Sequence, residues 1–269
     1  MRSVKITEAE AQAVPRTEIM VCPARMLRIL TWATAIVMLL NVAVLSSRVL
    51  TGHGHLLGFG SMFYVGEESN VPTWYSSCLL LLCSALLWVI ASASKRAHDG
   101  RSRWWSVLSV VFLLMSIDET ATIHERIGGL CEHVFGTHFF RDFGFVLPGA
   151  ILVLITTLVF LRFVLSLPPA TRKLLILAAV LYAWGASGME AVSLGWTARH
   201  SPALPMYSFL VTIEEVFEMS GVLVFIYALT SYIARHLPGL EIGVRYADTR
   251  STEGETTVRR GKTAGTVPG

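Results

Sequence analysis

The chain has 269 residues, of which 53% are hydrophobic and 15% are charged, and its mean hydropathy is +0.58. This composition is too apolar for a soluble domain and predicts an all-α integral membrane protein. The formal net charge of +3 is small and the basic residues are dispersed, which argues against a nucleic-acid partner. The four cysteines form neither a CxxC pair nor a disulfide framework.

Six stretches of mostly apolar residues follow one another along the chain. Each predicts a transmembrane helix, because backbone polar groups in hydrocarbon must be paired within their own segment. The predicted spans are about 27–45, 74–93, 104–123, 143–161, 174–196 and 207–232. We therefore expect a polytopic bundle over residues 27–236, preceded by a cytoplasmic segment at 1–26. Residues 237–269 are rich in Gly, Thr, Arg and Glu and predict a disordered cytoplasmic tail.

The distribution of basic residues predicts the orientation of this bundle. Most lysines and arginines fall in the termini and loops on one side of the predicted spans. The loops on the other side carry four arginines and a similar number of carboxylates. The positive-inside rule then places both termini in the cytoplasm.

Six carboxylates lie within the third, fifth and sixth predicted spans, which contain no lysine or arginine. They are Asp118, Glu119, Glu190, Glu214, Glu215 and Glu218. A charged group at the centre of a bilayer helix costs about 2.5 to 3.5 kcal/mol on insertion scales. We expect these charges to be compensated by protonation, by mutual hydrogen bonding or by a bound metal cation.

The predicted orientation places all six carboxylates in the outer half of the bilayer. Asp118, for example, lies roughly 21 Å along an outward-running helix that starts near Trp104, at about 1.5 Å per residue. The inner halves of the spans are almost purely apolar. This pattern predicts one buried polar pocket on the outer side. Gly221, beside the three carboxylates of the sixth span, predicts a close approach of another helix.

The outer loops add two weaker signals. Residues 56–64 predict an interfacial segment, and with Glu67 and Glu68 they predict a lid or a substrate entrance. Histidines in the outer loops are weak candidates to complete a site from above, since imidazole is a common metal ligand. They are His53, His55, His133, His138 and His200.

Four motifs together resemble a family of bacterial six-helix membrane proteins of unknown activity. They are EESNVPTWYSS, LLMSIDETATIHE, GMEAV and TIEEVFEMSGVLVFIYAL, within a region from about Phe59 to Tyr232. The resemblance implies the six-helix architecture and a multi-pass location in the bacterial cytoplasmic membrane, but no activity. The chain resembles the alkaline ceramidase-like hydrolases at Ser116, Asp118 and His124. It resembles the membrane prenyl-protein proteases at its EE pair. Both groups need histidines in later helices that this chain lacks.

A carboxylate-rich and histidine-poor set is typical of a dinuclear iron or manganese centre, and zinc is less well suited to it. The leading hypothesis is a membrane enzyme that depends on such a divalent metal. We expect an oxidoreductase acting on a lipid or another hydrophobic small molecule. The predicted metal ligands are Asp118, His124, Glu125, Glu190, Glu214 and Glu218, and the predicted catalytic residues are Asp118, Glu119 and Glu215.

Two alternatives stay open. One is a metal-dependent membrane hydrolase in which a carboxylate acts as general base toward a bound water. The other is a proton- or cation-coupled transporter or a sensor, because buried carboxylates without basic partners can carry protons. The absence of an evident internal repeat and the apolar inner halves weigh against a transport path. They favour an enzyme or an extracytoplasmic binding protein.

Overall fold

The computed structural model describes residues 22–51, 60–123, 126–127, 146–200 and 205–237. Within these ranges the regular elements are helices and none is a strand, which confirms the all-α prediction. The elements in chain order are α1 (Pro23–Thr51), α2 (Gly60–Phe63), α3 (Val71–Arg96), α4 (Ser102–Ala121), α5 (Val146–Leu165), α6 (Pro169–Ala183), a π-helical segment (Trp184–Met189), α7 (Glu190–Thr197) and α8 (Pro205–His236). The tail predicted at 237–269, apart from residue 237, and most of the segment predicted at 1–26 lie outside the described residues.

Within the described residues, four helices are long and apolar enough to cross a membrane. They are Pro23–Leu50, Val71–Arg96, Ser102–Ala121 and Pro169–Thr197, the last of which joins α6, the π-helical segment and α7. This indicates a multi-pass membrane protein. The apolar helix Ala150–Leu165 is shorter, and the 32-residue α8 carries three glutamates. Four of the six predicted spans are thus supported, while the count of six and the orientation stay predictions.

The ends of the helices follow from local sequence. Asn70 caps α3, because its side-chain oxygen accepts the Thr73 N–H at 3.0 Å and the first turn contains Pro72. Pro169 likewise stands in the first turn of α6, where its missing N–H costs nothing. These signals position the start of two helices whose lengths hydropathy alone predicts only approximately.

Two reciprocal serine pairs join α3 to α4. The Ser84 hydroxyl donates to the Ser109 carbonyl at 2.8 Å, and the Ser109 hydroxyl donates to the Ser84 carbonyl at 2.9 Å. Ser77 and Ser116 repeat the arrangement, with hydroxyl-to-carbonyl distances of 2.7 and 2.9 Å. Small polar side chains let two helices approach closely and bond across their interface. The α3–α4 hairpin therefore has a polar seam on each side of its midpoint.

Replacing Ser84 and Ser109 together by alanine is expected to lower the free energy of unfolding by about 1 kcal/mol, because hydrogen bonds between membrane helices average about 0.6 kcal/mol each. Ser106→Ala is the control, since the Ser106 hydroxyl donates to Ser102 within α4 itself. Thermal unfolding in detergent would measure the difference. A double variant as stable as the control would show that the seam contributes nothing.

We call the end of the bundle that contains residues 97–101 and 166–168 the hairpin end. Arg101 Nε donates to both carboxylate oxygens of Asp99, at 3.1 and 3.0 Å. This guanidinium holds the pKa of Asp99 below its usual value, and the Asp99 carboxylate raises the pKa of Arg101. The pair fixes the short turn between α3 and α4.

Next to this turn lies an apolar core. Trp105 is fully buried, and its ring is 4.8 Å from that of Phe163 and 5.2 Å from that of Tyr232. Burial of large aromatic side chains is the main stabilising contribution here.

Helix α8 is central in the bundle. It packs against α1, α3, α6, the π-helical segment and α7. A stacked pair, Phe112 on α4 and Phe225 on α8, brings α4 to the same helix with ring centroids 4.5 Å apart. Because α8 carries Glu214, Glu215 and Glu218, its packing determines which other carboxylates can approach them.

Candidate functional site

Two glycines allow the carboxylate-bearing part of α8 to lie directly on the helix formed by α6 and the π-helical segment. A Cβ on Gly221 would stand 2.8 Å from Tyr182 N and 2.9 Å from Ala178 O. A Cβ on Gly185 would stand 2.6 Å from Glu218 Cγ and 2.9 Å from Glu214 O. Real Cβ atoms do not approach backbone so closely. The contact expected at Gly221 is therefore present, and Gly185 makes a second one against the glutamates themselves.

The π-helical segment Trp184–Met189 ends where Glu190 begins α7. A π turn is rare, and single π turns occur often at functional sites because they redirect the side chains that follow. This one contacts α5, α6, α7 and α8. It therefore positions Glu190 relative to the glutamates of α8.

The structure brings five of the six carboxylates near enough for their charges to act on one another. Glu218 is within such range of Glu215, Glu119, Glu214 and Glu190. Glu214 is within range of Glu190, and Glu215 is within range of Glu119 and Glu214. All five side chains are partly buried. The described residues thus contain one electrostatically connected group drawn from α4, α7 and α8, which we call the carboxylate cluster.

Asp118 is connected to this group through a tyrosine. The phenol of Tyr182 lies within range of the charges of Glu218, Glu119, Glu215 and Asp118. Sequence reasoning missed Tyr182 because a single tyrosine in an apolar helix resembles ordinary packing. The available signal was its position three residues before Gly185, which puts both on one helical face.

A second tyrosine, Tyr207, lies in the first turn of α8, before its three glutamates. It lies within range of Tyr64, Glu214 and Glu190. Tyr207 was predicted only as the start of a span, at the membrane interface. Its position beside two carboxylates adds an aromatic ring to the site.

Helix α4 ends immediately after its two carboxylates. Thr122 adopts the left-handed conformation, with φ 50° and ψ 41°, and its N–H donates to the Asp118 carbonyl at 2.7 Å. A β-branched residue is strained in this region. The predicted span therefore stops at Ala121 rather than at residue 123. His124 and Glu125, both predicted as metal ligands, lie outside the described residues.

The predicted metal centre is wrong for the part of the chain that the structure describes. No three His, Cys, Asp or Glu side chains there come close enough together to hold a metal ion. Charges act over several ångströms, whereas metal–ligand bonds of about 2.0 to 2.6 Å require side chains that converge on one point. The Cγ of Glu218 packs against Gly185. The prediction of a dinuclear iron or manganese cofactor, with zinc as the less suitable alternative, is therefore wrong for the described residues.

Residues 60–70, which we call the lid segment, are held by side chains of α1 and α8. Asn41 of α1 is fully buried; its oxygen accepts the Val65 N–H at 3.2 Å, and its amide donates to Thr212 Oγ1 of α8 at 3.0 Å. The Tyr64 hydroxyl lies 3.0 Å from Ser208 Oγ, also on α8. The lid segment is thus attached to α8 one to two turns before Glu215.

An ion pair strengthens the attachment of the lid segment to α1. Arg48 Nη2 donates to Glu67 at 3.0 Å, and the guanidinium stands 4.2 Å from the centre of the Tyr64 ring. Glu68 lies within electrostatic range of Glu215. The lid expected near Glu67 and Glu68 is therefore placed beside the carboxylate cluster, whereas residues 56–59 of the same expectation lie outside the described residues.

Of the predicted loop histidines, only His200 is among the described residues, and it does not belong to the carboxylate cluster. His200 is exposed, and its ring stacks on Trp196 with centroids 3.9 Å apart. His53, His55, His133 and His138 lie outside the described residues.

Ser193 on α7 is a further residue that sequence reasoning missed. It is only 5% exposed and is the one buried residue of α7. Its hydroxyl has no hydrogen-bond partner among the described residues. Other buried helical hydroxyls bond to a carbonyl of their own helix, as Thr230 does to Ile226 at 2.8 Å, or of a neighbouring helix, as Ser84 does to Ser109 at 2.8 Å. Ser193 therefore leaves a buried polar atom available three residues after Glu190.

Comparison with known proteins gives one match. A family model described as a domain of unknown function, DUF8692, matches residues 26–233. No curated protein and no solved structure matches the chain. The match agrees with the resemblance to a family of unknown activity, whereas the four motifs and the bacterial origin stay predictions. The matched range contains the helices that carry the carboxylate cluster, and the chain belongs to the DUF8692 family.

Proposed function

We propose that this protein is a proton sensor of the bacterial cytoplasmic membrane, with six spans and both termini in the cytoplasm. Helix α5 has 20 residues, about 30 Å at 1.5 Å per residue, and the longer α8 exceeds that length. Both are long enough to cross the hydrocarbon core, which supports the count of six. The carboxylate cluster then faces the extracytoplasmic side.

The observation that carries this proposal is the contact between Gly185 and the turn Glu214–Glu218. Here the backbone of α8 touches the π-helical segment, so a change in charge on either side acts directly on helix packing. Ionised carboxylates repel one another across this contact. A protonated carboxyl can instead donate a hydrogen bond to its neighbour. Proton binding and the α8–π packing are therefore coupled.

Such coupling needs an element with two arrangements, and we propose that the π-helical segment is this element. A π turn differs from an α turn by a shift of one residue, and such turns commonly lie at functional sites. We propose that protonation favours close packing of α8 on the segment, while ionisation loosens it. Several carboxylates in range of one another would titrate as a coupled group, and their mutual repulsion spreads proton loss over more than one step.

The chemistry of the site favours sensing over the other hypotheses. Predicted oxidoreductase and hydrolase activities both rested on a metal ligand set that the described residues do not form. Transport of protons would need titratable groups across the membrane, whereas the parts of α4, α6 and α8 between the carboxylate cluster and the hairpin end contain no Asp or Glu. A pocket confined to one side suits a sensor.

The test is a pH titration of the purified full chain in nanodiscs, followed by tryptophan fluorescence. Trp184 opens the π-helical segment and reports on its packing. We expect a change in fluorescence, in one or more steps, between about pH 4 and 9, the range in which perturbed carboxyl groups titrate. The double variant Glu214→Gln/Glu218→Gln should lose most of the change.

Asp99→Asn is the matched control for this titration. Asp99 is a carboxylate at the hairpin end whose pKa lies below its usual value because Arg101 donates to it. Its pKa is thus shifted away from this range, and it should contribute less to the transition than the carboxylate cluster does. A wild-type protein without a transition, or a double variant with the wild-type transition, would refute the sensor.

A further inference from the structure

We propose that the hairpin end of the bundle binds the headgroups of anionic phospholipids through a surface of exposed lysines and arginines. The three stretches that form this end, 94–105, 160–175 and 230–237, contain eight lysines and arginines and one carboxylate, Asp99. That carboxylate is already bonded to Arg101. The basic surface is separate from the carboxylate cluster, and its lipid binding does not depend on the proton sensor.

Packing contacts show that the basic residues of this end belong to one surface. The ring of Trp105, at the start of α4, is 4.8 Å from that of Phe163 near the end of α5 and 5.2 Å from that of Tyr232 near the end of α8. Ala91 of α3 and Leu175 of α6 belong to the same core cluster. The ends of five helices therefore meet here. The exposed cations around this core are Lys95, Arg96, Arg103, Arg162, Lys173 and Arg235.

Helix dipoles account for only some of these cations. Lys95 and Arg96 lie in the last turn of α3, Arg162 in that of α5 and Arg235 in that of α8, where a positive charge is favourable. Arg103, in contrast, lies in the first turn of α4, which contains no carboxylate. The positive end of the helix dipole repels a cation at that position. An anion bound from outside the chain would offset this repulsion.

The terminal segments of the chain do not supply the missing negative charge. Residues 1–21 carry three basic and three acidic side chains, and residues 238–269 carry five basic and four acidic side chains. Their net charges are therefore 0 and +1. The compensating anion must come from another molecule.

The short turns of this end keep its cations at the level of lipid headgroups. The turns 97–101 and 166–168 are five and three residues long, so the basic side chains stay beside the ends of apolar helices. Next to Arg103, Trp104 is 36% exposed and stacks on Phe163 with ring centroids 6.2 Å apart. Tryptophans at a surface of this kind are typical of the membrane–water interface, and basic residues there attract anionic lipids.

Quenching of Trp104 by brominated lipids would test lipid binding at this end. The full chain is reconstituted in phosphatidylcholine bilayers that contain brominated phosphatidylglycerol or brominated phosphatidylcholine at the same mole fraction. The emission of Trp104 is the difference between the wild type and Trp104→Phe, which keeps an aromatic ring against Phe163. Phosphatidylglycerol should bind at least about fivefold more tightly, the factor that one basic residue contributes near an anionic lipid. Added salt should weaken this preference.

Charge variants assign the preference to the basic surface. Arg103→Gln/Arg162→Gln should reduce it to about twofold or less, whereas Arg103→Lys/Arg162→Lys should retain it because the charge is kept. Arg199→Gln is the matched control, since Arg199 is an exposed arginine that follows α7 at the opposite end of the bundle. It should leave the preference unchanged. Thermal unfolding in detergent shows whether each variant is folded.

Three results would overturn the lipid site. The first is equal quenching by the two brominated lipids in the wild type. The second is a preference that folded Arg103→Gln/Arg162→Gln retains, or that Arg199→Gln loses, because the hairpin end would then not be its source. The third is a preference that inorganic phosphate removes but chloride at the same ionic strength does not, since the surface would then bind a soluble anion instead of a headgroup.

Discussion

Gly221→Leu is expected to lower the free energy of unfolding by about 3 kcal/mol, at the upper end of the cost of inserting bulk into a packed interface. A Cβ at this position would already lie 2.8 Å from Tyr182 N and 2.9 Å from Ala178 O. Both atoms belong to the backbone of α6, so no side-chain rotation relieves the clash. The two helices must separate, and with them Tyr182 and the glutamates of α8.

Gly195→Leu is the matched control. Gly195 is also a helical glycine, but a Cβ there meets nothing within 4 Å. Its replacement should gain roughly 0.8 to 1 kcal/mol of helix propensity. Unfolding in detergent compares the two variants. If Gly221→Leu is as stable as Gly195→Leu, α8 does not pack on α6 as described.

Helix positions were predictable because hydropathy reports on them directly. The predicted spans 74–93 and 104–123 fall within or close to Val71–Arg96 and Ser102–Ala121. The error at the end of α4 has a specific cause. Thr122 is β-branched, and such residues rarely adopt positive φ, so a sequence pattern gives no reason to stop the helix there.

The sequence predicts how far along its helix each carboxylate lies, but not the direction in which its side chain points. The rise of about 1.5 Å per residue gives the depth of each group in the bundle, and groups at one depth on neighbouring helices come within range of one another's charges. A metal site needs more than depth, because ligands must also point to one centre. The stem of Glu218 lies against Gly185, and nothing in the sequence specifies that direction.

The π-helical segment and Ser193 were beyond sequence reasoning for a related reason. A π turn has no distinctive composition, and the stretch WGASGM indicates only close packing through its small residues. Ser193 is one of several serines in apolar helices. Its significance depends on being buried without a partner, which only the packing of α7 reveals.

Asn41→Leu is expected to release the lid segment from α8 while leaving the bundle folded. Asn41 is fully buried and nearly equal to leucine in size, so the packing loss is small. The loss of hydrogen bonding costs more than the loss of packing, because the Val65 N–H no longer has the Asn41 oxygen as an acceptor at 3.2 Å. Leaving one buried donor unpaired costs about 1 to 3 kcal/mol. This lowers the free energy of local opening of the lid segment. Exchange of the Val65 amide hydrogen should therefore accelerate about tenfold or more.

Thr212→Val separates the two bonds that Asn41 makes. It removes the acceptor of the Asn41 amide, at 3.0 Å, but leaves the Val65 bond in place. Exchange at Val65 should therefore rise less than in Asn41→Leu. Equal acceleration in the two variants would mean that the lid segment is held through α8 rather than through α1. No acceleration in Asn41→Leu would mean that Tyr64, bonded to Ser208 and covered by Arg48, holds the segment without Asn41.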